Sequence, residues 1–254
     1  MRPTLGEYLD ALAETGMTRS GIGRAYLDDE GWEESLARVE AAGVELTYLG
    51  FRVLFELDKP ETWDDQRALL RKAIDAADRY DNRIYGVTGA GPAVGLTWGE
   101  ACEAFVRAVA PAAEYARAQG VRLMIEPTLP LFSDIHFVHS LRETVDVAEA
   151  ANLDVCFEVN ACWNERGLDE TIARAGTSIG LAQLSDWVPG WRTIDRAVPG
   201  EGVVDLERVV RSLLDAGFDG SFDLELWGDA GMPDVEAVRR GAAYLSELLE
   251  RLGV

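Results

Sequence analysis

Short runs of β-branched and apolar residues alternate along the chain with longer segments whose apolar residues recur at helical spacing. The segments WDDQRALLRKAIDAADRY and LERVVRSLLDAG show the helical pattern, with apolar residues at i, i+3, i+4 and i+7. Several helical segments end at Gly directly before an apolar run, as at Gly43 before VELTYLG and Gly120 before VRLMIE. This alternation predicts a parallel sheet with helical crossovers, and its regularity favours a (β/α) barrel over a doubly wound sheet.

The count of strands is one short of a closed barrel. Seven strands are predicted, beginning near residues 17, 44, 83, 121, 153, 179 and 220, whereas a closed barrel of this type has eight. The missing strand would precede the helix that begins near Thr4. We therefore expect an α/β protein with a (β/α)8 TIM barrel, incomplete if its first strand is missing. An open barrel, a partner that fills the gap and a start codon further upstream remain alternatives.

Composition and charge narrow the classes of partner. The chain has 254 residues, of which 48% are hydrophobic, and no linker or low-complexity tract divides it, so residues 1–254 are predicted to form one domain. The formal net charge of −21 repels phosphate backbones and anionic lipid headgroups, so neither nucleic acid nor a membrane is expected as a partner. The N-terminal segment lacks an apolar core of signal-peptide length, which favours a cytoplasmic location.

Cysteine and histidine are too scarce for several kinds of site. The chain has three Cys and two His, with no Cys-x-x-Cys motif and no paired His ligands. A zinc finger, an Fe–S cluster and a His-rich zinc site are therefore not expected. With only two His, a Ser-His-Asp or Cys-His catalytic site is not expected either. Acid–base chemistry in this protein must come from carboxylates.

Oxygen-bearing side chains stand at the ends of the last four predicted strands. These are Glu126 in LMIEP, Glu158 in VCFEVN, Gln183 in LAQLSD and Glu225 in DLELW. The carboxyl ends of parallel barrel strands meet at one mouth, where barrel enzymes carry their chemistry. Carboxylates this close would repel one another unless a cation lies among them, and an all-oxygen set suits Mg²⁺ or Mn²⁺ better than zinc. The alternative is that each Glu only begins a solvated loop.

Four segments resemble a known family. GVRLMIEP, LDVCFEVNACW, QLSDWVPG followed by DRAVPGEGVVDL, and GFDGSFDLELW resemble the xylose-isomerase-like TIM barrels called sugar phosphate isomerases/epimerases. That family includes tagatose/psicose 3-epimerases, hydroxypyruvate isomerase and inosose dehydratase. The resemblance implies that Glu126, Glu158, Gln183 and Glu225 bind a divalent metal ion, Mn²⁺ or Mg²⁺. Family members usually have Asp where Glu158 stands and His where Gln183 stands, although the hydroxypyruvate isomerase branch also uses Gln.

The resemblance also implies an activity. It predicts a metal-dependent isomerase or epimerase of a small sugar or hydroxy-carbonyl compound, in which Glu126 and Glu225 take and return a proton through an enediolate. An inosose-type dehydratase, or another lyase that uses the same enediolate, is the first alternative. A non-catalytic binding or assembly subunit on a degenerate barrel is the second. The expected partner is a small polyhydroxylated molecule, and a homo-oligomer is left open.

Polar residues near the third strand-end residue are candidates for substrate contact. Arg196 in DRAVPGEG is the first choice for binding an anionic or hydroxyl-rich group, and Arg192 is the second. A salt bridge from Arg196 to Asp195 or Asp186 is the alternative. Asp186, three residues after Gln183, either orients that amide or caps the turn.

Aromatic residues follow the same strands. Trp163, Trp187 and Trp227 could stack on a sugar face, or pack the loops against the barrel rim. His136 lies in the long loop after the first strand-end Glu and could cover the site; the alternative is that it begins a helix.

Overall fold

The computed structural model describes residues 3–85, 95–190, 195–226 and 234–254. One sheet holds seven strands in sequence order, and each is parallel to its neighbours. The strands are Arg19–Gly23 (β1), Glu45–Gly50 (β2), Arg83–Tyr85 (β3), Arg122–Ile125 (β4), Asp154–Glu158 (β5), Ile179–Leu184 (β6) and Ser221–Leu224 (β7). All seven predicted strands are confirmed, and together they form a nearly closed TIM barrel.

Helices alternate with the strands. They are Leu5–Thr15 (α1), Arg24–Glu30 (α2), Trp32–Ala41 (α3), Trp63–Ala76 (α4), Trp98–Ala118 (α5), Leu141–Ala151 (α6), Val159–Cys162 (α7), Leu168–Ala175 (α8), Leu206–Asp215 (α9) and Val235–Leu252 (α10). Two of them begin with a capping box, in which Thr4 pairs with Glu7 and Thr97 with Glu100. None of the described helices has both the length and the apolar composition that a bilayer span requires.

The gap between the two edge strands is bridged by helices and by a tyrosine. Within the described ranges β1 and β7 do not pair with each other, but α1 and α10 pack together at this position. The Tyr8 hydroxyl, from α1, contacts Ser20 and donates to the Gly21 carbonyl at 3.2 Å. The backbone polar groups at this edge of β1 are therefore partly satisfied by a side chain from α1.

The inside of the barrel is filled by a small apolar cluster. Met124, Cys156 and Leu181 pack there against the rings of Tyr48 and Tyr85. The Tyr48 ring lies so close to β1 that a Cβ atom on Gly21 would come within 2.1 Å of it. Glycine is required at that position because any side chain would displace the ring.

Strand register decides which polar residues become neighbours at the mouth. Glu158 pairs with Gln183 between β5 and β6, and Gln183 pairs with Asp223 between β6 and β7. On β7, Leu224 packs outward against α10, where a Cβ atom on Gly241 would meet it at 3.0 Å. Asp223 therefore points to the opposite face, into the barrel.

Candidate active site

Three carboxylates meet at the carboxyl end of the barrel. Glu126 directly follows β4, Glu158 is the last residue of β5 and Glu225 directly follows β7. All three line one cavity of about 120 Å³. Glu126 and Glu158 are buried, and only 18% of the Glu225 side chain is exposed. The sheet therefore concentrates acidic groups in a space that holds about four water molecules.

The Arg196 guanidinium lies among these carboxylates. Its Nε is 2.9 Å from Glu225 Oε2, and its Nη2 is 3.5 Å from Glu158 Oε1. The Arg196 side chain is only 6% exposed and lines the same cavity. Burial lowers the pKa of Arg196, but the neighbouring Glu225 and Glu158 outweigh this effect and leave it raised. A permanent positive charge is thus built into the acidic cluster.

Burial strongly favours the protonated form of two carboxyl groups. It raises the pKa of Glu126 to about 8, with a further contribution from Glu225, while a hydrogen bond from Tyr85 lowers it. Burial also raises the pKa of Glu158 to about 7, against the opposing effect of Arg196. Near neutral pH the site therefore holds acidic groups that can carry protons, next to a carboxylate paired with arginine.

The Glu158 carboxylate is turned towards its own backbone. Its two oxygens accept hydrogen bonds from the N–H groups of Asn160 and Ala161 at 2.9 and 2.8 Å, so it caps the short helix α7. The Cys162 thiol donates to the Glu158 carbonyl at 3.0 Å. These contacts fix the direction of the carboxylate.

The Gln183 amide is held by residues inside the barrel. Its Nε2 donates to Asp223 Oδ2 at 3.3 Å, and its Oε1 accepts from the Cys156 thiol at 3.4 Å. Asp223 also accepts from the Tyr48 hydroxyl at 3.0 Å. Burial, together with Glu225, raises the pKa of Asp223 to about 6. The amide oxygen therefore faces Cys156, and Gln183 is not among the residues that line the cavity.

These contacts decide whether the expected metal ligands fit a bound ion. The all-oxygen donor set suits Mg²⁺ or Mn²⁺ by its chemistry. In the arrangement observed, however, Arg196 pairs with two of the four residues and the Gln183 oxygen is bonded to Cys156. Across the described ranges, no three His, Cys, Asp or Glu side chains form a group that could hold a metal ion. The residues as placed do not fit the ion, so the metal site stays a prediction of the resemblance.

A family model assigns this architecture. The model described as xylose isomerase-like TIM barrel matches residues 9–248, which is nearly the whole chain. The chain belongs to the xylose isomerase-like TIM barrel family. No curated protein sequence is significantly similar to it.

Solved structures share the same barrel. Protein SMc04130 from Sinorhizobium meliloti 1021 is 25% identical, with a TM-score of 0.83 over 97% of this chain and 94% of that one. D-psicose 3-epimerase from Clostridium cellulolyticum H10 is 20% identical, with a TM-score of 0.68 over 96% and 88%. The probable 3-DHS dehydratase AsbF from Bacillus anthracis is 13% identical, with a TM-score of 0.71 over 98% and 94%. At identities below 25%, the last two show the fold alone.

His136 lies behind the site of this xylose isomerase-like barrel and does not cover it. The ring is fully buried, its Nε2 is 3.0 Å from the Glu126 carbonyl oxygen, and burial lowers its pKa to about 3. Because a carbonyl can only accept, the neutral ring donates its Nε2–H and holds the Glu126 backbone in place. The position of His136 does not support its predicted substrate contact, since the loop turns its ring inward and the ring does not line the cavity.

Two of the three tryptophans predicted to contact substrate, Trp163 and Trp187, lie in the described part of the chain and pack against other residues of the protein. Trp163 and Trp187 stack on each other, with ring centroids 5.7 Å apart, and both pack against the hydrophobic core. Neither lines the cavity beside Glu126. Their alternative role of packing loops against the rim is what the contacts show. Trp227 and Arg192, also predicted to bind substrate, lie outside the described residues.

Asp186 organises the loop that carries Arg196. Its two carboxylate oxygens accept four backbone N–H groups, at 2.8 to 3.0 Å, from Trp187, Gly200, Gly202 and Val204. Of the two roles predicted for Asp186, these contacts favour capping of the turn over orienting the Gln183 amide, because its acceptors are used by the loop. The salt bridge from Arg196 to Asp186, an alternative at the sequence level, is likewise replaced by the two Glu partners.

Four residues at the mouth were not predicted from the sequence. Tyr85 hydrogen-bonds Glu126, Tyr48 and Asp223 pair across the barrel, and Arg52 lines the cavity next to Glu126. Asp223 carried a signal, because it lies two residues before Glu225 and so shares its strand face. Tyr48 and Tyr85 stand near the ends of predicted strands. Their hydroxyl groups, placed on a strand face that points into the barrel, are the feature that could have identified them as site residues.

Proposed function

We propose that the protein is an enzyme that isomerises or epimerises a small hydroxy-carbonyl compound through an enediolate, with carboxylates as acid and base. The observation that carries the proposal is that Glu126 and Glu225 line one cavity, with the Arg196 guanidinium 2.9 Å from Glu225. Acid–base pairs of this kind work when their surroundings differ. Here one carboxyl is buried and favours its proton, and the other is paired with a cation.

Each group has a distinct part in the proton transfer. Glu225 takes the proton from the carbon next to the substrate carbonyl. The electron pair of the broken C–H bond forms the C=C bond of the enediolate, and the π pair of the carbonyl moves onto its oxygen. The positive charge of Arg196 stabilises the oxygens where negative charge develops. Glu126, protonated near neutral pH because its pKa is about 8, returns a proton. Delivery to the same carbon from the other face gives the epimer, and delivery to the adjacent carbon gives the isomer.

The family supports this chemistry and leaves the outcome to be measured. An epimerase and a probable dehydratase share the fold, and loss of a β-hydroxyl from the same enediolate would give dehydration. Mass separates the two results, because isomerisation conserves the mass of the substrate and dehydration removes water.

The test is exchange of the substrate C–H proton with solvent. Purified protein in D₂O is mixed with dihydroxyacetone, hydroxypyruvate and a series of ketoses, and deuterium incorporation is followed by NMR. We expect incorporation into at least one compound and a loss of about 10²–10⁴-fold in Glu225→Gln. Glu103→Gln, at an exposed position on α5, is the matched control and should match the wild type. Absence of exchange with every compound would favour the non-catalytic binding role.

The same assay shows whether Arg196 or the expected metal ion supplies the positive charge that the reaction needs. Bound Mn²⁺ or Mg²⁺ would have to displace Arg196 from Glu225 and Glu158, so we propose that Arg196 supplies the positive charge. Exchange should then persist in protein treated with EDTA. Exchange that appears only after Mn²⁺ is added would assign the charge to the metal and leave the roles of the two Glu residues in place.

A further inference from the structure

Two cavities meet at the mouth of the barrel and share part of their lining. The acidic cavity of about 120 Å³ adjoins an open cleft of about 710 Å³ beside β1 and β2. Arg52, Tyr85 and Glu126 line both. A substrate whose reacting carbon lies near Glu126 therefore meets Arg52 at the entrance to the cleft.

Arg52 is held on the cleft side by the irregular segment that follows β2. Along residues 51–57 the side chains alternate between buried and exposed. The buried members are Phe51, Val53, Phe55 and Leu57. These four buried side chains anchor the segment to the core, and Arg52 between Phe51 and Val53 lines both cavities.

The Arg52 guanidinium lies close enough to Glu126 to lower the pKa of that carboxyl group, but it has no ion-pair partner in the part of the chain that the structure describes. No group in the described ranges forms a hydrogen bond or an ion pair with its guanidinium, although acidic residues outnumber basic ones by 45 to 24. Arg24, the other arginine of the cleft, is paired with Asp28 at 2.8 Å and lies over the Phe51 ring. Arg196 is paired with two carboxylates. Of the three described arginines that line these cavities, Arg52 is thus the one whose side-chain donors have no partner among the described residues.

We infer that Arg52 binds an anionic group of the substrate, so that the site takes hydroxy-carbonyl compounds bearing a carboxylate or a phosphate. The inference rests on the proposed function, since it places the hydroxy-carbonyl part beside Glu126 and Glu225. A guanidinium forms two parallel hydrogen bonds with either anion, and these charge-assisted bonds are stronger than bonds to a neutral hydroxyl. A neutral sugar would leave this charge without a partner.

Three probes with the same hydroxy-ketone fragment test the inference by calorimetric binding. Dihydroxyacetone is neutral, dihydroxyacetone phosphate adds a phosphate, and hydroxypyruvate carries a carboxylate. At least one anionic probe should bind about tenfold or more tightly than dihydroxyacetone, and Arg52→Gln should abolish this preference. Arg52→Lys should retain part of it because it keeps the charge. Arg107→Gln, at an exposed position on α5 outside both cavities, is the matched control and should retain all of it.

The outcomes separate the inference from the proposed function. The tighter of the two anionic probes identifies phosphate or carboxylate as the group that is bound. Equal binding of all three probes, no binding of either anion, or a preference that survives Arg52→Gln would each overturn the inference. Deuterium exchange into dihydroxyacetone phosphate or hydroxypyruvate that Arg52→Gln leaves unchanged would also overturn it while supporting the acid–base chemistry. A preference for an anionic probe that depends on Arg52, without deuterium exchange into any compound, would support the inference about Arg52 and contradict the proposed function.

Discussion

The two halves of the barrel mouth differ in whether their charged side chains are buried and paired or exposed and unpaired among the described residues. On the half built from β4 to β7, Glu126, Glu158 and Glu225 surround a guanidinium that is only 6% exposed. On the half built from β1 to β3, an open cleft presents an exposed Arg52 that pairs with none of the described side chains. The first half holds its charges in fixed pairs away from water. The second leaves its charge available.

This difference indicates a division of labour between reaction and recognition. Proton transfer requires groups whose pKa values are shifted and whose positions are fixed, and burial achieves both. Recognition requires a charge that a ligand can reach without first breaking a strong protein contact. The residues shared by both cavities, Tyr85 and Glu126 among them, lie where the two tasks meet.

The largest expected effect comes from removing an arginine from each half. Arg196→Met should lower the free energy of unfolding by about 3–5 kcal/mol, because it leaves two buried carboxylates without their cation. Arg52→Met should change it by less than about 0.5 kcal/mol, because that side chain is exposed and forms no ion pair with the described residues. Urea denaturation at neutral pH measures both. Equal effects would show that the two halves do not differ as described.

The second effect is a loss of stability as the pH rises. The pKa of Glu126 is about 8 in the folded protein and 4.5 as its ordinary value, so between these two pH values the folded state binds more protons than the unfolded state. The free energy of unfolding must therefore fall as the pH rises through this range, by an amount on the order of 4 kcal/mol. Urea denaturation at a series of pH values measures the slope.

A Glu126 variant separates the contribution of Glu126 to this slope from the contribution of electrostatic repulsion within a chain of net charge −21. Glu126→Gln cannot ionise, so it should flatten the slope and be more stable than the wild type near pH 8. Glu103→Gln changes the net charge by the same amount at an exposed position and should leave the slope nearly unchanged. A slope that survives in Glu126→Gln would mean that other groups cause it.

The sequence predicts which residues lie in the buried half of the mouth better than it predicts the contacts between them. Glu126, Glu158 and Glu225 were identifiable because parallel strands end at one mouth, so their positions follow from the order of the strands. The contact between Tyr48 and Asp223 joins residues 175 positions apart, and only the curvature of the sheet brings them together. Arg196 could reach Asp186 or the Glu cluster, and the choice depends on four backbone N–H groups that occupy Asp186 first. Such competition cannot be read from spacing.

The smallest expected effect tests whether hydrogen-bond partners, or burial alone, determine how much a polar residue of the buried half contributes to the free energy of unfolding. Ser185 follows β6 and is buried, but its hydroxyl has no hydrogen-bond partner among the described residues. Ser185→Ala should therefore leave the free energy of unfolding unchanged or raise it by up to about 1 kcal/mol, because an unsatisfied polar group is removed. The neighbouring Asp186→Asn, which loses acceptors for bonded N–H groups, should lower it by about 2–4 kcal/mol. If urea denaturation showed equal losses in the two variants, burial rather than the network of partners would account for the rigidity of this half, and the fixed pairing of Arg196 would lose its physical basis.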